Sequence, residues 1–556
     1  MKSTFWNDKR DMLVTLSWVV ILAASTLILN LRWSPVYRAL ESDSGVYAYV
    51  GSSILEGQLP YRDVWEHKPP IGFYLDALAL VMFGHTPWAI WWFNVTWIAL
   101  TSVIFFLLIK KMMGTLTGCL ASLFFLVGVM IPELFQGGNL MEVFGLLPQV
   151  LIIAAVYQFY SKQQERWVLI AGILTGIAFL TKQTTVAIGL SSILVIIIIS
   201  LLRREFKQAL LRSLFYSGGV IAPIVLVSSY WILNGAFYDF LDAVLLHSLA
   251  YVGERVSLLW SLKNTILNIF PELYISKLYY IAALALLLYC FENFRWFLAR
   301  LHRDRNAPPV DIHPVELTML AVFIALPVEV AFTSLGARNF GHYFITLVPV
   351  GATVAAYIVW KTIKVIQSAV NTGKLPTLLS AGWLLLSMMS LYWLYNAALL
   401  GAPNASQLAS ITRIFNNQYE ITDLEQYIIN TTNPSDRVLV WHIHTEINFV
   451  TQRRAAARVL FPMNLFIGNT KMPEFVAGMI AAPPKLIVFQ KPSSLGMPFV
   501  DENLDSLCDK GCMPEVSEGL KQAAVHNSLI KFQEFFQQYY TLDRQIYDWY
   551  VYRYKP

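Results

Sequence analysis

The chain has 556 residues, of which 56% are hydrophobic, 14% aromatic and only 14% charged, with a mean hydropathy of +0.52. A water-soluble globular chain carries about 25% charged residues, so the deficit calls for lipid-facing surface and excludes a soluble, disordered, collagen-like or disulfide-rich secreted protein. The net charge of +5 is small for this length, and Lys and Arg sit in short clusters between apolar runs, which gives no support to nucleic-acid binding.

Crossing a bilayer takes roughly 17–25 apolar residues. In chain order the candidate runs are 12–31, 88–109, 115–131, 140–160, 167–180, 184–202, 213–233, 278–291, 317–335, 342–360 and 377–395, which makes eleven. Two of them, 167–180 and 278–291, are short, so each either borrows flanking residues or stops within the membrane against a protein cavity. The first run has no small-residue cleavage site after it and reads as an uncleaved helix. With the N-terminus cytoplasmic, the inner side receives twice as many Lys and Arg as the outer loops, the orientation the positive-inside rule selects. An odd span count then places the C-terminal segment outside. The expectation is a polytopic α-helical membrane protein with about eleven transmembrane helices, a transmembrane domain over 1–400 and a soluble extracytoplasmic α/β domain over 401–556.

The first outer loop, 32–87, exceeds an ordinary connection and so is expected to be functional. It holds Glu41, Asp43, Glu56, Asp63, Glu66, His67 and Lys68, and its run Tyr61-Arg62-Asp63-Val64-Trp65-Glu66-His67-Lys68-Pro69-Pro70 combines acids, bases and aromatics. The apolar stretch 71–84 that follows suits an interfacial or re-entrant helix better than a span. In the C-terminal part, 437–443 (RVLVWHI) and 486–490 (LIVFQ) read as buried strands, and 423–429 and 527–538 carry helical spacing. Cys119 and Cys290 lie in apolar helices and read as core residues. Cys508 and Cys512 (CDKGC) are expected to form a local disulfide in an oxidising compartment, two unrelated thiols being the alternative.

Asp43 with Gly45 and Tyr47, then Gly57, Pro60-Tyr61, Asp63 and Glu66-His67-Lys68-Pro69-Pro70, resembles the first outer loop of the GT-C glycosyltransferases. The branch it resembles is that of protein O-mannosyltransferases and aminoarabinose lipid A transferases. Asn139 with Glu142, the stretch 172–183 (GILTGIAFLTKQ), Arg338-Asn339-Phe340-Gly341-His342-Tyr343, and in the C-terminal part DRVLVWH and Pro483-Pro484-Lys485-Leu486-Ile487-Val488 extend the resemblance from Asp43 to about Phe489.

The resemblance implies a GT-C fold and transfer of a sugar from a polyprenyl phosphate to a hydroxyl, usually with inversion, at the outer face of a plasma (inner) membrane. Asp43 takes the general-base position, with helix capping as the alternative. Here Ser44 follows Asp43 where the branch often has Glu, which bears on the acceptor. Glu66 and Asp63 orient the acceptor or form loop salt bridges with Arg62 or Lys68. Lys68 and Arg338, with His342 behind Arg338, are the donor-phosphate candidates, snorkelling at the interface being the alternative. Tyr61, Glu142 and Lys182 are candidate substrate contacts, while Glu133, His247, Glu254 and Arg255 lie in other outer loops. Glu329 is an acid inside the ninth span, functional or paired with Arg338. No cofactor is expected; a divalent ion on Asp43, Asp63 and Glu66 is the less favoured option. The partners are a polyprenyl-phosphate-linked sugar, a hydroxyl acceptor (protein, lipid or envelope glycan) and membrane lipids. A lipid or sugar transporter and a noncatalytic membrane scaffold are the competing classes.

Overall fold

The computed structural model describes residues 2–37, 40, 43–249, 257–301, 313–335, 340–373, 377–441, 444–460, 462–467, 470–491 and 514–556. Arg338, Cys508, Cys512, Glu41, Glu254 and Arg255 lie outside the described residues.

Among the described residues nine helices are long and apolar enough to cross a membrane: Lys9–Trp33, Pro87–Met113, Met141–Lys162, Gln183–Leu202, Phe206–Leu233, Tyr274–Phe294, Pro314–Ser334, Gly341–Thr372 and Leu378–Gly401. Two further expected spans, Thr115–Val129 and Arg166–Thr181, are shorter apolar helices, as is Ile71–Phe83 in the first loop. The short run at 278–291 borrows residues on both sides to become Tyr274–Phe294. Helix Phe206–Leu233 leaves side chains such as Leu214 (61% exposed) and Leu226 (73%) on its surface. Contiguous apolar surface of this kind is stable against acyl chains and not against water. The protein is a multi-pass, predominantly helical membrane protein.

The chain forms two compact units. The first comprises Met1–Arg32, Asn94–Ser229 and Val256–Ala409. Helix Val348–Thr372 is its core: Val348 to Val359 are all buried, and Thr115–Val129 approaches it where a β-carbon on Gly128 would lie 3.1 Å from Val348. Pro148, Pro223 and Pro327 stand inside long helices, where the missing N–H bends the helix.

The second unit comprises Trp33–Phe93, Tyr230–Arg255 and Ser410–Pro556, so the first loop and the C-terminal residues fold together. Its sheet has five strands, β1 (Arg437–Val440), β2 (Arg454–Ala455), β3 (Leu486–Gln490), β4 (Tyr540–Ile546) and β5 (Trp549–Tyr554), in the order β2-β1-β3-β5-β4. The β2-β1-β3 half is parallel and β3-β5-β4 antiparallel. Val438, Val440, Leu486, Val488 and Val551 pack with Leu424 and Ile428 of helix Asp423–Thr431, whose N-terminus is closed by a Thr422–Glu425 capping box. The first loop joins this unit by main-chain pairing: Trp65 bridges Val459, and its N–H donates to the Arg458 carbonyl at 2.7 Å.

Candidate functional site

Asp43 opens helix Asp43–Leu55, where an acid in the first turn meets the positive end of the helix dipole. Its Oδ2 accepts a hydrogen bond from the Tyr47 hydroxyl, one turn on, at 3.0 Å. The carboxylate is half-buried, and no described cation pairs with it. The helix is buried from Ser44 to Ser53. At Gly45 it approaches helix Glu446–Thr451 so closely that a β-carbon would fall 2.7 Å from both the Cβ and the amide nitrogen of Glu446. Glu446 is itself buried, which pushes its carboxyl up, and it meets His444 Nδ1 at 2.6 Å.

A second set of groups follows in the loop. Glu66 and Lys68 are buried, and His67 stands between them: its Nδ1 lies 2.7 Å from Glu66 Oε1 and its Nε2 lies 2.8 Å from Lys68 Nζ. An ammonium has only protons to give, so Nε2 accepts from Lys68, which leaves the ring proton on Nδ1, facing the carboxylate at ion-pair distance but not aligned with it as a hydrogen bond. Around this relay stand Trp65, in edge contact with His247 at 4.8 Å, and His247, 5.5 Å from the His67 ring. Lys471 places its ammonium 4.7 Å over the Trp65 ring and pairs with Asp242 at 2.7 Å. Burial first, then His67, holds the His247 imidazole down at about 3, with the Lys471 charge acting in the same direction, so it is a neutral ring. The two buried ammonium groups here, Lys68 and Lys471, are matched by two carboxylates, Glu66 across His67 and Asp242, so the cluster is balanced in charge around the Trp65 indole.

Tyr61 and Asp63 frame this loop. Tyr61 is fully buried among Phe73, Trp231 and Phe240, takes a backbone φ of 74°, and donates its hydroxyl hydrogen to the Lys68 carbonyl at 2.9 Å. A bulky residue at positive φ is strained, and the aromatic packing holds it there. Asp63 accepts from the Leu59 N–H and from Arg62, each at 2.8 Å, and the arginine holds its carboxyl below the usual range. The polar groups of both side chains are engaged in fixing the loop that carries Glu66 and Lys68.

The other candidates lie in the first unit. Glu142, at the start of helix Met141–Lys162, and Lys182, in the extended residue after helix Arg166–Thr181, form a buried ion pair at 2.7 Å. The Lys182 ammonium also sits 4.6 Å over the Tyr343 ring. His342 meets Gln136 Oε1 at 2.9 Å through Nδ1 and stacks on Phe340 at 5.7 Å. Glu329 is fully buried and accepts from Gln149 at 2.9 Å, so among the described residues its partner is an amide. No group of three or more His, Cys, Asp or Glu suited to a metal occurs among the described residues.

Residues 67–231 match the family model of dolichyl-phosphate-mannose-protein mannosyltransferases. The resemblance read from the sequence motifs is to that family. The match starts at His67 in the relay and spans under a third of the chain. A sequence search of curated proteins finds no match. Among solved structures, ArnT from Cupriavidus metallidurans bound to undecaprenyl phosphate aligns at 13% identity over 96% of this chain and 98% of its own, with a TM-score of 0.47. The Archaeoglobus fulgidus oligosaccharyltransferase with zinc and sulfate aligns at 17% identity over 85% of this chain and 68% of its own, with a TM-score of 0.49.

The structure thus brings Glu66 and Lys68 together through His67, joins Glu142 to Lys182, and ties Tyr61 to the Lys68 carbonyl. His67 was visible in the sequence only as part of the motif; an imidazole flanked by an acid and an amine is the signal for a relay. Lys471 and Asp242 carried no local signal, since 229 residues separate them.

Proposed function

We propose that this protein is an integral-membrane glycosyltransferase that moves a monosaccharide from a polyprenyl phosphate to a hydroxyl acceptor, with inversion at the anomeric carbon. The observation that carries the reading is the buried Glu66–His67–Lys68 relay at the point where the mannosyltransferase family match begins. In this reading Asp43 takes the acceptor's hydroxyl proton, the freed oxygen forms the new bond to the anomeric carbon, and the carbon–phosphate-oxygen bond breaks with its electron pair leaving on the lipid phosphate. Lys68, with Arg338, neutralises that charge. His67 aims the Lys68 ammonium and Glu66 fixes the imidazole tautomer. The bias of Lys and Arg supports a cytoplasmic N-terminus, with the site and C-terminal residues outside a plasma (inner) membrane.

The test is mass spectrometry of lipids retained by the purified protein, comparing wild type with Arg338→Ala and Asp43→Asn. A polyprenyl phosphate or its sugar adduct retained by the wild type and by Asp43→Asn, and lost from Arg338→Ala, is the expected result. Ordinary phospholipids alone in all three proteins count against the donor class and in favour of transport or scaffolding.

A further inference from the structure

The parallel pairing of β1 with β2 places Arg437 directly opposite Arg454. Neighbouring parallel strands lie about 4.8 Å apart and in-register side chains point to the same face, so two guanidinium stems rise side by side. Both residues are exposed, and neither makes an ion pair or side-chain hydrogen bond with any described residue. Like charges directly opposite one another destabilise a sheet, so the pair carries a repulsion that no acid among the described residues relieves by an ion pair.

These two arginines line a cavity of about 370 Å³ within the second unit, walled by the first loop at Tyr49 and Asp63 and by Arg458 and Glu474. The acids of that wall are already engaged. Glu474 forms a forked pair with Arg458, with Oε2 at 3.0 Å from Nη2, and Asp63 is held by Arg62. Among the described residues at the cavity, the Arg437–Arg454 pair is left without an acid partner. Two arginines in register on adjacent strands bring ten N–H donors to one cavity, a donor set that suits a tetrahedral oxyanion with two or more charges.

We propose that Arg437 and Arg454 form a phosphate-binding site at this cavity, separate from the Glu66–His67–Lys68 relay and independent of the transferase reading. The group bound is a phosphate monoester or diphosphate, carried either by a soluble molecule or by a lipid headgroup.

The test uses the full-length chain in a neutral detergent, with inorganic pyrophosphate titrated by calorimetry and short-chain phosphatidic acid, against phosphatidylcholine, followed by native mass spectrometry. The expected result is binding of at least one phosphate probe that weakens tenfold or more in the Arg437→Gln/Arg454→Gln double variant, persists in Lys68→Met, and weakens with added salt. Pyrophosphate binding identifies a soluble ester as the source; phosphatidic acid alone identifies a headgroup. Without ligand, each single Arg→Gln variant keeps or raises the melting temperature, because repulsion is relieved. Binding unchanged in the double variant, binding lost in Lys68→Met instead, no binding of either probe, or a lowered melting temperature in the single variants would each overturn the site.

Discussion

Tyr47 donates its phenolic hydrogen to Asp43 at 3.0 Å, from one turn further along the same helix. The bond fixes one carboxylate oxygen, and in the proposed reaction the other takes the acceptor's proton. Asp43→Asn keeps the volume and removes the base, so turnover should fall by about 10²–10⁴-fold, the usual worth of general-base catalysis. Tyr47→Phe removes only the positioning bond, worth about 1 kcal/mol, and should lower kcat by about five- to tenfold with KM little changed. Full turnover in Asp43→Asn would remove that residue from the reaction.

The Glu142–Lys182 pair should behave as a buried ion pair. Lys182→Met leaves a carboxylate with almost no solvent contact and should destabilise the protein by about 3–5 kcal/mol, whereas Glu142→Gln/Lys182→Met should recover most of that loss. A thermal melt of the three proteins in detergent decides it; a single variant as stable as wild type would show the pair to be dispensable.

Gly45 tests the docking of the Asp43 helix. Gly45→Ala places a methyl 2.7 Å from two atoms of Glu446 and should cost about 1–3 kcal/mol of overpacking, with loss of activity. Gly218→Ala, at a helical glycine with nothing within 4 Å, is the control and should be neutral or slightly stabilising. Equal melting temperatures for the two variants would mean the helices separate at no cost.

His247 gives a pH dependence with a definite sign. Its folded value of about 3 lies below the ordinary 6.5, so between those limits the unfolded chain binds a proton that the folded chain does not. Its contribution is fully present above pH 6.5 and declines as the pH falls toward 3. Thermal melts from pH 7.5 to 4.5 should therefore fall less steeply for His247→Gln than for the wild type; parallel curves would contradict the buried neutral ring.

The long apolar helices were legible because a run of about twenty apolar residues matches the thickness of a bilayer and little else, and strands β1 and β3 because β-branched runs stood between polar segments. The β4–β5 hairpin was not, since its turn uses Tyr547 at a φ of 53° in place of the glycine or asparagine that usually marks one. In the site, Asp43, Glu66 and Lys68 stood out as charges in a motif-rich loop. The spending of Tyr61 and Asp63 on the loop itself did not, because a sequence shows which groups can bond and not which bonds they have already made. Glu329 pointed toward Arg338 by proximity along the chain, yet the described partner is Gln149, 180 residues away.

The joining of the first loop to the C-terminal residues sets a schedule for biosynthesis. The Tyr61 carbonyl accepts from Arg458 at 2.7 Å across 397 residues of chain. At ~5–20 residues per second, the ribosome reaches Arg458 roughly 20–80 s after it has delivered Tyr61. Throughout that interval Tyr61, Trp65 and the buried face of the Asp43 helix lack the surface that covers them. The loop that carries the proposed base and phosphate contact is thus completed only when the last quarter of the polypeptide arrives, and a chain truncated before Val459 would leave it open to chaperones and proteases.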